Sequence, residues 1–134
     1  MTRKLVPLIL GALAATAVPA QAADCRAPEE QLARALEGRV AGEPVDCVNL
    51  RTIQSSRVIR GTAILYDAGS VIYVNRPRAG AELLDHWGAQ VSRTFDNRLC
   101  SVDPVQIVDT ATGVFEGNIF LGEFVPYRRV RSRD

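Results

Sequence analysis

Downstream of residue 44 the apolar runs are short, rich in valine, isoleucine and aromatic residues, and interrupted by glycine, proline or Asp/Asn pairs. A chain punctuated in this way cannot extend long helices and buries itself only by pairing its runs edge to edge. Segments 45–53, 58–66, 71–75, 91–95, 99–102, 105–108 and 118–125 read as strands. Asp67-Ala68-Gly69-Ser70 joins the second and third of these as a hairpin. One helix is predicted over 28–37, with Pro28 at its first position, Glu29 and Glu30 in its first turn and Gly38 just past its end. Leu32, Ala35 and Leu36 give it a single apolar stripe, and a helix this short persists only when docked. Residues 79–88, with Leu83, Leu84 and Trp87, fit either one helical turn or a packed loop. The expected fold is mainly β: a small antiparallel barrel or sandwich of about six or seven strands with one short N-terminal helix. The regular alternation of helix and strand that builds a parallel α/β sheet is absent.

Upstream of the helix the chain has the character of an export leader. Arg3 and Lys4 form a cationic start, 5–18 is mostly apolar, and Ala20-Gln21-Ala22 provides small residues for cleavage before Ala23. The apolar run is broken by Pro7 and Gly11 and is shorter than the ~20 residues that cross a hydrocarbon core. Asp24 places a charge where lipid attachment at Cys25 would want a small neutral residue. The expected organisation is a leader over 1–22, a single β-rich domain over 23–127 and an Arg-rich tail over 128–134, in a periplasmic or secreted protein with no transmembrane segment once the leader is removed. Removing Arg3 and Lys4 also changes the formal charge from +1 to −1, because the leader holds two of the 16 cations and none of the 15 acids. A near-neutral domain lacks the positive field that general nucleic-acid binding draws on.

Cys25, Cys47 and Cys100 are an odd set, which in an exported protein implies one disulfide and one leftover thiol. Loop entropy does not select the pair: closing Cys47 to Cys100 restricts the unfolded chain by about 4 kcal/mol, against about 3.4 for Cys25 to Cys47. Context favours Cys47 with Cys100, since both lie in strand-like segments, and places Cys25 with Cys47 second. Cys25 is then free or links two chains. No Cys-x-x-Cys occurs, no histidine neighbours a cysteine, and the paired spacing of a zinc site is missing, so the cysteines read as structural.

Candidate chemistry is sparse. His86, the single imidazole, sits beside Asp85 and Trp87, but no Gly-x-Ser-x-Gly elbow supports a triad with Ser55 or Ser56. Asp96, Asp103, Asp109 and Glu116 read as turn residues and solvated charges, without calcium-type spacing. No metal or cofactor is expected. Arg76, Arg78 and Arg93 near Tyr73, His86 and Trp87 form a candidate ligand or partner patch, since guanidinium groups bind anions and stack on aromatic faces. The competing reading is edge-protecting strand charge. Arg128, Arg129, Arg131 and Arg133 suggest weak contact with an anionic surface, set against a frayed terminus.

The stretches Cys47-Val48-Asn49-Leu50-Arg51, Arg57-Val58-Ile59, Thr62-Ala63-Ile64-Leu65-Tyr66, Tyr73-Val74-Asn75-Arg76-Pro77, Leu99-Cys100 and Phe124-Val125-Pro126-Tyr127 resemble a family of small exported bacterial proteins with no assigned activity. The resemblance spans about 45–127 and implies export and a Cys47–Cys100 bridge; it carries no catalytic residue across. The expected function is a non-enzymatic binding module for an envelope protein or glycan. A specific version is an inhibitor of an envelope hydrolase that presents a loop such as 76–88. The alternative is a small hydrolase or isomerase using carboxylates or His86.

Overall fold

The computed structural model describes residues 27–85, 88–92, 94 and 96–131. The leader, Cys25, His86, Trp87, Arg93 and Arg133 lie outside the described residues. Helix α1 (Pro28–Ala35) is followed by ten strands: β1 (Arg39–Ala41), β2 (Cys47–Asn49), β3 (Ser55–Ile59), β4 (Ala63–Asp67), β5 (Val71–Asn75), β6 (Gly88–Ser92), β7 (Arg98–Cys100), β8 (Pro104–Asp109), β9 (Phe115–Phe120) and β10 (Phe124–Arg129). They form three antiparallel sheets, ordered β1-β10-β5-β4-β3, β2-β7 and β6-β8-β9. The mainly β expectation holds, and the arrangement is that of a sandwich.

The strand count exceeds the expected six or seven because two predicted runs split into two strands each and β1 is added upstream. Within 58–66, Thr62 N–H donates to the Ile59 carbonyl at 3.0 Å, so this run turns on itself and β3 and β4 become partners. Within 45–53 the only strand is Cys47–Asn49, which ends where Asn49 folds back to accept from Arg51 N–H through Oδ1 and from Thr52 N–H through its carbonyl. Within 118–125 the chain leaves β9 at Phe120 and re-enters β10 at Phe124. The run expected at 91–95 is displaced, with β6 beginning at Gly88. The predicted β4–β5 hairpin is present, closed by Ala68 N–H on the Val71 carbonyl at 2.9 Å and by Asp67 Oδ1 on Gly69 N–H.

The helix starts where Pro28 predicts and ends two residues before the expected boundary, the chain turning through Gly38 at φ +72° before β1. That left-handed value explains the glycine, because a side chain there meets its own following carbonyl. β1 then pairs with β10. Its length is set by Pro126: Gly42 N–H donates to the Pro126 carbonyl at 2.7 Å, but proline has no N–H to return. Pairing resumes at Val45 and Phe124, which exchange both backbone bonds at 2.8 Å. Beyond Pro126, β10 carries the sheet through Arg128 and Arg129, so the paired domain runs past the boundary expected at 127.

The five-stranded sheet is buried on both faces. Ile64 and Tyr66 of β4 point into the main core with Val48, Leu99, Val105, Ile107, Ile119 and Phe124. Ala63 and Leu65, on the opposite face, join Ile59, Ile72, Val74 and Leu32 of α1 in a second cluster. Two-sided burial is why β4 reads as a continuous apolar run rather than an alternating one. Among the described residues no helix is long and apolar enough to cross a membrane.

Candidate functional site

Cys47 and Cys100 stand directly opposite each other on β2 and β7, and their sulfurs are bonded, as context and the resemblance both led us to expect. The bridge closes a ribbon of two three-residue strands. Such a ribbon is too short to hold itself by backbone pairing alone. The staple therefore fixes Val48 and Leu99, a cross-strand pair buried in the main core, and with them the turn that carries Leu50.

Beside this ribbon lies a cleft of about 200 Å³. It is bordered by β3 and β6, which are edge strands of the two larger sheets. Buried Tyr66, Leu99 and Val105 form its base, and half-buried Leu50 and Ile53 contribute apolar wall. Ser56, Gln90 and Ser92 add two hydroxyls and an amide. Strand register explains the set: Ser56 faces Tyr66 across β3 and β4, and Ser92 faces Val105 across β6 and β8, so each polar side chain lies over a core residue. Burial pushes the Tyr66 phenol well above its usual range, so it stays neutral. Its ring lies 5.8 Å from that of Phe124 in a tilted arrangement. A neutral phenol, hydroxyls and an amide can orient a ligand by hydrogen bonding over an apolar floor.

The expected Arg patch is engaged within the chain where it can be followed. Arg76 forms a two-pronged pair with Glu29 at 2.8 and 2.9 Å, tying the segment after β5 to the first turn of α1. The guanidinium holds the Glu29 carboxyl below its ordinary range, so this tether survives further into acid than a free glutamate would. Arg78 donates to the carbonyls of Leu121 at 2.7 Å and Ser101 at 3.0 Å. Its backbone N–H bonds the Phe120 carbonyl, and Phe120 N–H returns a bond to Ala79, so the 76–85 segment is strapped along β9. Within it a single 3-10 turn covers Ala81–Leu83, and Leu84 is buried.

Three of the candidate carboxylates cap turns, as expected, whereas Glu116 is an exposed residue within β9 rather than in a turn. Asp96 accepts from Arg98 N–H, Asp103 from Cys100 N–H at 2.7 Å, and Asp109 from Ala111 N–H and from Thr112 N–H and Oγ1. The Thr112 backbone bond is the largest influence holding Asp109 below the usual carboxylate range. Asp85 accepts from Gly88 N–H at 2.9 Å. Arg128 and Arg129 lie in β10 opposite Val40 and Arg39, and Arg131 is exposed. Among the described residues no group of His, Cys, Asp and Glu is placed to hold a metal ion.

Sequence reasoning named Ser56 only for an unrelated chemistry and missed Gln90 and Ser92 in the cleft. It also missed the clasp between Asn75 and Gly122. Asn75 Nδ2 donates to the Gly122 carbonyl at 2.7 Å and Gly122 N–H donates to Asn75 Oδ1 at 3.0 Å. The side-chain amide thereby acts as a strand partner for the break between β9 and β10. The one available signal was an asparagine at the end of the otherwise apolar run 71–75.

Comparison with protein-family models, curated proteins and solved structures finds no match to the chain.

Proposed function

We propose that this protein is an exported, disulfide-stapled interaction module that receives one bulky apolar side chain of an envelope or secreted protein in the cleft beside β2 and β7. The size of the cleft carries the reading. At about 200 Å³ it falls below the roughly 300–1,000 Å³ of pockets that enclose whole small ligands. It exceeds the ~150 Å³ at which an apolar cavity holds benzene. A single aromatic or leucine-sized group fits, which is the anchor-in-socket geometry of protein interface hot spots. The leader and the Cys47–Cys100 bridge support export, and a stapled wall lowers the ordering cost of binding. An envelope hydrolase is the partner class to examine first.

A photoreactive phenylalanine analogue at Ser56 or Ser92 tests this in protein expressed in its own host. The expected result is a stoichiometric adduct with one envelope protein, joined at a bulky apolar residue. Ser92→Phe, which fills the socket, should then weaken binding of that purified partner at least tenfold while leaving the thermal midpoint nearly unchanged. No adduct from either position, or binding indifferent to Ser92→Phe, overturns the proposal.

A further inference from the structure

The row of side chains that reaches the cleft stops at a sheet edge. Pro126, Tyr73, Tyr66 and Ser56 stand opposite one another across β10, β5, β4 and β3, on the face of the five-stranded sheet that meets the main core. Beyond Ser56 the sheet has no further strand, because β3 has β4 as its single ladder partner. The cleft, lined by both Tyr66 and Ser56, takes up where the row ends. A strand laid along β3 would continue the row, and its residue opposite Ser56 would enter the cleft.

The other edges are less open. β1, β2 and β7 have three residues each, β6 begins on Gly88, and β9 is bonded at Phe120 to Arg78 and Ala79. β3 runs for five residues without proline or glycine, its Ser55, Ser56 and Arg57 are exposed, and among the described residues no backbone group bonds to its outer side. An uncovered edge presents unpaired N–H and C=O groups with which another chain can pair. In such additions main-chain bonds supply affinity and pockets for alternate side chains supply specificity. At β3 the edge and the pocket adjoin. Charge then defines what flanks the anchor. Arg57 stands opposite Leu65, on the α1 side of the sheet, and has no hydrogen-bond or ion-pair partner among the described residues. A residue next to the anchor on an added strand lies across from it, and an acid there completes a cross-strand pair. A second copy of β3 fits poorly in antiparallel pairing. It brings Val58 opposite Ser56 only by setting Arg57 against Arg57, and every other register offers serine, arginine or the buried Ile59.

We infer that the partner docks as an extended segment added to the outer edge of β3, with a bulky apolar residue opposite Ser56 and an acidic residue beside it across from Arg57. The inference rests on the socket reading of the cleft and adds the backbone and the charge by which the socket is reached. The probe is a capped peptide Thr-Thr-Glu-Phe-Glu-Thr-Thr, whose two glutamates serve either strand direction. The processed chain should bind it with a Kd of about 1 mM or tighter. Hydrogen exchange of the Ser55–Val58 amides should slow on binding while that of Gly88–Ser92 does not. Alternate residues of a strand turn their N–H groups to the same neighbour, so N-methylation of alternate peptide residues should weaken binding at least tenfold in one phase and leave it in the other. Arg57→Glu should weaken binding about two- to fivefold at a near-native thermal midpoint, and a peptide with lysines in place of the glutamates should restore it. Ser92→Phe separates the two readings. Binding lost in Ser92→Phe but equal for both methylated peptides keeps the socket and overturns strand addition. Slowed exchange in β3 with binding indifferent to Ser92→Phe removes the socket and keeps the edge. No binding at that concentration, or protection of β6 alone, overturns the inference.

Discussion

Asn75 is fully buried, sits at the end of a strand, and satisfies both backbone groups of Gly122, 47 residues away. Truncating it leaves a buried N–H and C=O without partners, and each such group costs about 1–3 kcal/mol. Asn75→Ala is therefore expected to lower unfolding free energy by about 2–4 kcal/mol, read as a lower midpoint in urea with an unchanged slope. Gly122→Ala should be comparably damaging, since a Cβ there would collide with the Arg76 carbonyl oxygen, a backbone atom that cannot swing aside. A midpoint unmoved by either change would show that the β9–β10 break holds without its clasp. Nothing local to Asn75 announces this role. The partner is identified only when two strands distant in sequence are brought together, which is why the sequence reading passed over it.

At the level of elements, the Cys47–Cys100 staple and Pro126 act in opposite directions. The staple makes a pair of three-residue strands permanent, and Pro126 ends β1 by withholding a donor. Replacing both bridging cysteines with serine should cost up to about 4 kcal/mol, the loop-entropy value for a closure of this length. The loss should be uneven: hydrogen exchange should rise first in Cys47–Asn49 and Arg98–Cys100, and partner binding should weaken with it because Leu99 and Leu50 wall the cleft. Full protection of both strands in the double serine variant would show that packing alone holds the ribbon. The pairing of the cysteines was legible from their strand-like contexts. The shortness of β2 was not, because Asn49 ends it through its own side chain and carbonyl.

Considered whole, the protein has two separate apolar layers, one on each face of its five-stranded sheet. Phe124 and Ile64 belong to the layer shared with β2, β7 and β6-β8-β9, and Leu32 belongs to the layer under α1. Cutting back a large buried side chain costs about 2–5 kcal/mol, with the higher values for phenylalanine. Phe124→Ala is expected to destabilise every sheet together. Leu32→Ala should instead release α1 first, with exchange rising over Pro28–Ala35 while β8 and β9 keep their protection. Equal loss of protection in both layers for Leu32→Ala would show that they unfold as a single unit.

What the sequence determined by itself was local: the helix start at Pro28, the β4–β5 turn, the carboxylates that cap turns, and a mainly β chain with a cysteine pair in its strands. These depend on interactions within a few residues, so their signals survive in one dimension. The tertiary structure alone decided the cleft and the Asn75–Gly122 clasp. Each depends on register between distant segments, and a shift of one residue in that register would turn every affected side chain to the opposite face.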